Sequence, residues 1–310
     1  MAENNRIGVV IVTYNRLDKL KTALQCFEQQ TVLPEYVLVV DNASTDDTES
    51  YLKTWRESEA GFTKHVIRNG QNLGGSGGFY TGLERAKQLS ADWIWVSDDD
   101  AFPEKRAIEE ASAYLKEHKA EWSGIAAICG AVINDGEIDI THRKNMYSRG
   151  VWVLEKLIPK TEYEKKAFEL NGFSYVGTMI HKKKLNEAGM TMKDYFIWWD
   201  DTEHSLRLSK TGRILCVPAV RIHHDVPVIS GQFGWKNYYG YRNAADMYRR
   251  HFPKRCYEYF RRRAILISYL LDLVGYRKAG NKAVRCAMQD AKEGRLGIHP
   301  VYKPGWKPEN

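Results

Sequence analysis

Three short apolar runs, each ending abruptly in polar residues and each set among helical patterns, constrain this chain more than anything else in it. Arg6 to Thr13 (RIGVVIVT) is β-branched and of strand length, and Arg16 to Gln30 then places Leu17, Leu20, Leu24 and Phe27 at helical spacing. Tyr36 to Val40 repeats the pattern, ends in Asp41-Asn42, and is followed by the Thr and Asp start signals of a helix over Ser44 to Leu52. A third strand is expected at Thr63 to Arg68. A glycine-rich turn at 72 to 78 then leads into a helix over Phe79 to Leu89, and Trp93 to Ser97 forms a fourth strand that runs straight into Asp98-Asp99-Asp100. Strands apolar throughout and joined by helices predict an α/β fold, a mostly parallel sheet with helices on both faces. Ligands of such sheets gather at the carboxyl ends of the strands. The polar residues Tyr14-Asn15-Arg16, Asp41-Asn42 and Asp98-Asp99-Asp100 stand there.

Later segments are less regular. Ile125 to Val132 is another apolar strand, residues 134 to 170 read as loops and short strands, and Phe173 to His181 alternates before a helix at Lys182 to Gly189. Asp194 to Leu208 sets two carboxylates just before a helix, and a strand is expected at Arg213 to Val217. Helices follow at Lys236 to His251, Arg255 to Val274 and Asn281 to Lys292. Charge changes along the way. Residues 236 to 310 carry 17 Lys and Arg against 6 Asp and Glu, a net of +11 within an overall +7, so the preceding body is slightly acidic. This shift predicts a division into residues 1–230 and a basic helical region, 231–310. The five cysteines are scattered without a CxxC pair, which excludes a disulfide framework or zinc knuckle, and the N-terminus lacks the basic start and apolar run of a secretory leader. A cytoplasmic protein is expected.

Four groupings carry chemistry. Asp98 and Asp100 in extended backbone share a face, a spacing suited to a hard cation such as Mg²⁺ or Mn²⁺, although a solvated turn with capping aspartates gives the same letters. Asn72-Leu73-Gly74-Gly75-Ser76-Gly77-Gly78 lets a ligand approach the backbone beside a helix N-terminus; it matches neither the P-loop nor the dinucleotide motif, and a flexible loop is the plain alternative. Trp198-Trp199-Asp200-Asp201-Thr202-Glu203 sets sugar-stacking aromatics beside carboxylates able to accept a hydroxyl proton, or else a helix start with Asp201 as N-cap. His223-His224 offers an imidazole to a metal site, against the ordinary reading of a packed or surface histidine.

In their joint order, VVIVTYNR, VVDNASTD, NLGGSGGF, WVSDDDAFP, FIWWDDTEHSLR and IHHD resemble glycosyltransferase family 2, the inverting nucleotide-sugar transferases of GT-A fold. The likeness covers residues 6 to 230, extends to Tyr238-Tyr239-Gly240-Tyr241-Arg242-Asn243, and is strongest toward bacterial galactofuranosyltransferases, with rhamnosyltransferases as close relatives. It implies that Thr13, Tyr14 and Arg16 line the nucleotide pocket with Arg16 on the diphosphate, that Asp41 contacts the uridine, and that Asn72, Gly74 and Gly75 face the sugar phosphate. Asp98 and Asp100 would hold Mn²⁺ or Mg²⁺, Asp99 would belong to the same donor pocket, and His224, with His223 as the alternative, would be a third ligand. Asp201 would be the base, with Asp200 and Glu203 orienting acceptor hydroxyls beside Trp198 and Trp199. A UDP-sugar donor and a lipid-linked glycan acceptor are the implied partners. Beyond Asn243 the likeness ends.

In the tail, Arg249, Arg250, Lys254, Arg255, Arg261, Arg262 and Arg263 interleave with Tyr248, Phe252, Tyr257, Tyr259 and Phe260, next to an apolar stretch from Ala264 to Gly275. About 20 apolar residues are needed to span a bilayer, so this stretch is expected to lie on an anionic membrane, the alternative being a helical subdomain with solvated charges. Nucleic acid is not expected as a partner, because no nucleic-acid motif is present and the acidic pocket residues repel phosphates. A nucleotidyltransferase would leave WWDDTE without a role.

Overall fold

The computed structural model describes residues 6–225 and 233–308. Its order is β1 (Ile7–Thr13), α1 (Leu17–Glu28), β2 (Tyr36–Asp41), α2 (Thr48–Glu57), β3 (Thr63–Arg68), α3 (Gly74–Ala86), β4 (Trp93–Asp98), β5 (Ala101–Pro103), α4 (Ala107–Glu117), β6 (Ile125–Asn134), β7 (Glu137–Ile138), β8 (Arg143–Arg149), β9 (Trp152–Leu157), β10 (Phe168–Leu170), β11 (Gly172–Phe173), β12 (Thr178–His181), α5 (Lys182–Ala188), α6 (Asp200–Leu208), β13 (Arg213–His224), α7 (Trp235–His251), α8 (Lys254–Leu273) and α9 (Lys278–Glu293). The main sheet runs β10-β13-β6-β12-β4-β1-β2-β3, with β5 on β13 and β7 on β6; β11-β8-β9 form a second, small sheet.

The parallel sheet expected from the sequence is present from β4 through β1 and β2 to β3, but the sheet as a whole is mixed, because β12 enters antiparallel between β4 and β6. Strands β1, β2 and β4 read as continuous apolar runs because both faces are buried, while the edge strand β3 is half-exposed. Val9 and Ile11 pack with Leu20, Leu24 and Phe27 of α1 and Ile108 and Leu115 of α4, while Val10 and Val12 pack with Phe79 and Leu83 of α3 on the other face. Register then decides where the polar ends fall: Thr13 sits opposite Asp41 across one ladder, and Val12 opposite Asp98 across the other. Three strand ends therefore share one rim.

Several boundaries differ from expectation for physical reasons. The glycines of the 72–78 run belong to α3 rather than to a turn before it. A Cβ on Gly78 would meet Val12 Cγ1 at 2.4 Å, and one on Gly82 would meet Val10 Cγ1 at 2.4 Å, so these glycines let α3 lie close on β1. The last strand runs on past Val217 to His224, shifting register between Cys216 and Arg221. Asp200 and Asp201 fall in the first turn of α6, not before it, and Trp199 takes the N-cap place expected of Asp201. Helices α7, α8 and α9 enclose a further cluster that includes Tyr238, Tyr239, Tyr257 and Met288. The boundary expected near residue 230 lies outside the described residues.

Candidate active site

Two loops leave the rim side by side, after β1 and after β2. Asn15 and Ala43 take left-handed backbone there, with φ of 52° and 65°, and the loops are tied together as Asn15 N donates to Ser44 Oγ at 3.0 Å and Thr45 N to Asn15 Oδ1 at 2.6 Å. Asp41 is buried; it accepts from Ser44 N at 2.8 Å and pairs with Arg68 from β3, a residue not singled out in the sequence. Asn42 reaches the glycine run, donating to Asn72 Oδ1 at 3.1 Å and to the Gly74 carbonyl at 2.9 Å. Gly74 has φ of +72°, and a Cβ on it would lie 1.9 Å from the Phe196 carbonyl oxygen, whereas a Cβ on Gly75 would meet nothing within 4 Å. Within this run, Gly75 is the position open to an approaching ligand.

At the end of β4 the three aspartates diverge. Asp99 is fully buried, accepts from Thr13 Oγ1 at 2.7 Å and lies 3.2 Å from Arg16 Nη2; burial pushes its carboxyl up to about 6 against the pull of Arg16. Burial, then Asp100 and Asp99, push Asp98 up to about 7. Burial acts on Asp100 in the same sense, but the hydrogen bond to His224 and the charge of Arg16 outweigh it, and Asp100 titrates below the ordinary carboxylate range. Arg16 bonds Asp100 directly, while Tyr14 is 39% exposed over the rim. His224 pairs across to Ala101 and so brings its Nε2 to 3.5 Å from Asp100 Oδ1; His223 points the other way, to Glu104 at 3.0 Å. The chemistry of these residues fits a hard divalent cation: the His224 imidazole lies 3.5 Å from Asp100, and burial and the neighbouring Asp100 and Asp99 charges, which raise Asp98, are what such a cation would offset.

A cluster elsewhere has tighter spacing but unsuitable chemistry. Among the described residues, Cys286, Asp290 and His299 have candidate ligand atoms within 4.8 Å of one another. His299 Nδ1 accepts from Val301 N at 3.1 Å and Tyr302 N at 3.0 Å, so Nε2 carries the proton, and Asp290 is already engaged by Tyr238 and Arg295. It is a hydrogen-bonded pin between α7 and α9.

The other half of the site is a cavity of about 490 Å³ whose lining includes Asp201, Trp198, Trp199, Lys144, Tyr241 and Phe260. Of the three acidic residues in WWDDTE, Asp201 is the one that faces this space. Burial raises its pKa, opposed by Lys144 and by the Thr202 amide, which donates to Oδ1 at 2.5 Å. Asp200 is 8% exposed and faces Ser76; burial and the neighbouring Asp201 push it up to about 8. Glu203, expected to orient acceptor hydroxyls, is 1% exposed and bound by Arg207 at 2.8 Å and His251 at 2.9 Å, which corrects that expectation: its carboxylate joins α6 to α7.

The loop before α6 is bent sharply, with φ of 68°, 66° and 71° at Phe196, Trp198 and Trp199. Non-glycine residues in this region cost about 1 to 3 kcal/mol each and persist where surroundings hold them. Here Asn243 Nδ2 lies within hydrogen-bonding reach of the carbonyls of Tyr195 at 2.9 Å, Ile197 at 2.9 Å and Trp198 at 3.0 Å, and Arg242 Nη2 donates to Asp194 and Tyr195 at 3.1 Å. Gly240 leaves room for the Trp198 ring, which a Cβ there would meet at 2.9 Å. The YYGYRN likeness thus has a physical content: α7 holds the tryptophans in place.

Contacts link the two halves. The His224 ring lies 5.0 Å from that of His142, and His142 Nδ1 lies 2.7 Å from Ser174 Oγ, a group that lines the Asp201 cavity. Asp100, His224, His142, Ser174 and Asp201 therefore follow one wall. His142, the fully buried Arg143 that bonds the carbonyls of Gly130 and Val176, and Lys144 were not singled out within the stretch read as loops and short strands in the sequence. The charged run Asp139 to Lys144 was their one signal.

The sequence profile described as Glycosyl transferase family 2 matches residues 8–189, more than half of the chain. The galactofuranosyltransferase GlfT1 of Mycobacterium tuberculosis (strain CDC 1551 / Oshkosh) is 28% identical over 222 residues, covering 70% of this chain and 69% of its own. The dTDP-rhamnosyl transferase RfbF of Shigella flexneri is 27% identical over 233 residues, 72% of this chain and 70% of its own. Among solved structures, the mannosyltransferase PcManGT from Pyrobaculum calidifontis in complex with GDP-Man and Mn²⁺ aligns over 95% of this chain and 89% of its own with a TM-score of 0.56 at 15% identity.

Proposed function

Because the chain belongs to glycosyltransferase family 2, and is therefore a nucleotide-sugar glycosyltransferase, we propose that it transfers galactofuranose from UDP-galactofuranose, with inversion, to a hydroxyl of a lipid-linked glycan at the inner face of the cytoplasmic membrane. One observation carries the chemistry: Asp201, on a cavity flanked by Trp198 and Trp199, lies along the same wall as the Asp98–Asp100 and His224 group. A cation and a base at opposite ends of one wall suit an in-line displacement.

In this reading Asp201 takes the proton of the acceptor hydroxyl, and the oxygen attacks the anomeric carbon from the face opposite the diphosphate. Asp98, Asp100 and His224 would hold Mn²⁺ or Mg²⁺, which supplies positive charge to the departing diphosphate. Arg16 adds a fixed cation beside it. Thr13 and Asp99 keep Arg16 at the rim, Asp41 with Arg68 holds the uridine side, and Asn72, Gly74 and Gly75 face the sugar phosphate, with Gly75 the point of open backbone. The tryptophan rings offer the acceptor sugar its stacking faces.

The test is a donor screen with UDP-galactofuranose, UDP-galactopyranose, UDP-glucose and dTDP-rhamnose, reading nucleoside diphosphate release with and without Mn²⁺ against a lipid-linked acceptor. Turnover should be strongest with UDP-galactofuranose and should vanish with EDTA. Asp201→Asn should lose transfer by roughly a thousandfold while binding UDP nearly as well, since an amide cannot accept the proton. Retained transfer in that variant removes Asp201 from the role, and preference for dTDP-rhamnose would move the assignment to the activity named for the Shigella relative.

A further inference from the structure

Several basic and aromatic residues that looked available in the sequence are already committed. Arg249 and Arg250 each pair with Asp246 at 2.5 Å, Arg261 pairs with Glu258 at 3.2 Å, and Tyr257 is buried. The apolar surface left open lies further along α8 and its turn: Leu266, Tyr269, Leu270, Leu273, Val274 and Tyr276 are 60%, 56%, 52%, 83%, 75% and 53% exposed. Positions 266, 269, 270 and 273 follow helical spacing, so the stripe is one continuous helix face. Arg262, which reaches Glu258 at 3.5 Å but keeps its side chain 76% exposed, and Arg263 stand at one end and Arg277 and Lys278 at the other. The carboxylate of this segment, Asp272, is taken up by Arg285 at 2.7 Å and Asn281 at 2.8 Å.

We propose that this face, Leu266 to Tyr276 with its bounding cations, is a docking surface for an anionic phospholipid bilayer, which deepens the reading above by giving a lipid-linked acceptor its place of arrival. Charge complementarity selects the occupant. A second copy of the chain placing the same face here would bring its arginines against these arginines, whereas an anionic leaflet meets all four cations while the apolar stripe enters the headgroup boundary. Among the described residues no helix is long and apolar enough to cross a membrane, so the helix lies in the surface plane. The face is also continuous with the site. Arg263, Ile267 and Arg277 line a small cavity of about 100 Å³ that shares Tyr241 and Phe260 with the Asp201 cavity.

The full chain is tested by flotation with vesicles of phosphatidylcholine alone and of phosphatidylcholine mixed with phosphatidylglycerol. Wild type should float with the anionic vesicles, less so as salt rises, and stay with the soluble fraction in the zwitterionic set. Leu270→Glu with Leu273→Glu, both exposed and outside the cavity lining, should lower the partition by roughly a hundredfold with an unchanged Tm. Arg262→Glu with Arg263→Glu should weaken anionic binding and flatten its salt dependence. Flotation of the leucine double variant equal to wild type overturns the proposal. So does a wild-type dimer on gel filtration that the same variant splits while neither floats, an outcome that assigns the face to a second copy. Diphosphate release from the donor, measured without vesicles, fails independently if the enzymatic reading is wrong.

Discussion

Asp200 and Glu203, three positions apart on α6, answer burial in opposite ways. Burial and Asp201 push Asp200 up to about 8, while Glu203, for which burial acts in the same sense, is carried down to about 2 by His251 and Arg207. A carboxylate held below its ordinary value of 4.5 contributes stability above that value and loses it as pH falls toward 2. The shift corresponds to a contribution on the order of 3 kcal/mol. Glu203→Gln should therefore lower Tm clearly at neutral pH, and the gap to wild type should close as pH drops from about 4.5 to about 2, as followed by thermal unfolding at each pH. An offset constant with pH would show that Glu203 does not act through its charge. The sequence could not separate these residues, because the His251 imidazole that bonds Glu203 together with Arg207 lies 48 positions away in the chain. Asp98 and Asp100 were legible for the opposite reason: the strand that carries them is apolar up to its last residues, so carboxylates at its end needed a purpose.

Between residues and molecule, the strained turn from Phe196 to Trp199 and the start of α7 act as a pair. Asn243 reaches three of the turn's carbonyls, and no substituted alanine can replace it. The amide has two N–H groups to share among them, so at about 1 kcal/mol for each net hydrogen bond Asn243→Ala should lose about 2 kcal/mol. The looser turn should raise the KM for acceptor while slow hydrolysis of the donor in the absence of acceptor stays near wild type; equal losses in both would mean that the clamp serves the whole fold and not the tryptophans. Elements in the first hundred residues were readable because their period is clean and β1, β2 and β4 are buried on both faces. The start of α3 was not, since glycine reads as turn in one dimension and its packing on Val10 and Val12 exists only in three. Strands β8 and β9 fall in the 134 to 170 stretch read as loops and short strands, and their bounds were not legible because they form a small sheet of their own, with exposed and charged residues that carry no alternation.

For the molecule as a whole, the change of charge near residue 230 suggested an enzymatic body with a separable basic appendage, and the packing argues for a tighter union. Helix α7 holds the Trp198 turn through Asn243 and receives Glu203 on His251, while α9 braces α7 as Tyr238 bonds Asp290 and the Tyr239 hydroxyl accepts from His299 N at 3.1 Å. Phe260 of α8 walls the Asp201 cavity. Removing α8 and α9 should thus damage the site itself and not merely a membrane contact. The full chain should unfold in one calorimetric transition, with calorimetric and van't Hoff enthalpies equal. A chain ending at residue 253 should melt well below it and lose transfer even to a water-soluble acceptor, for which no bilayer is needed. Two separate transitions, or a truncated chain that keeps both its Tm and that transfer, would restore the picture of an independent appendage and confine α8 and α9 to attachment.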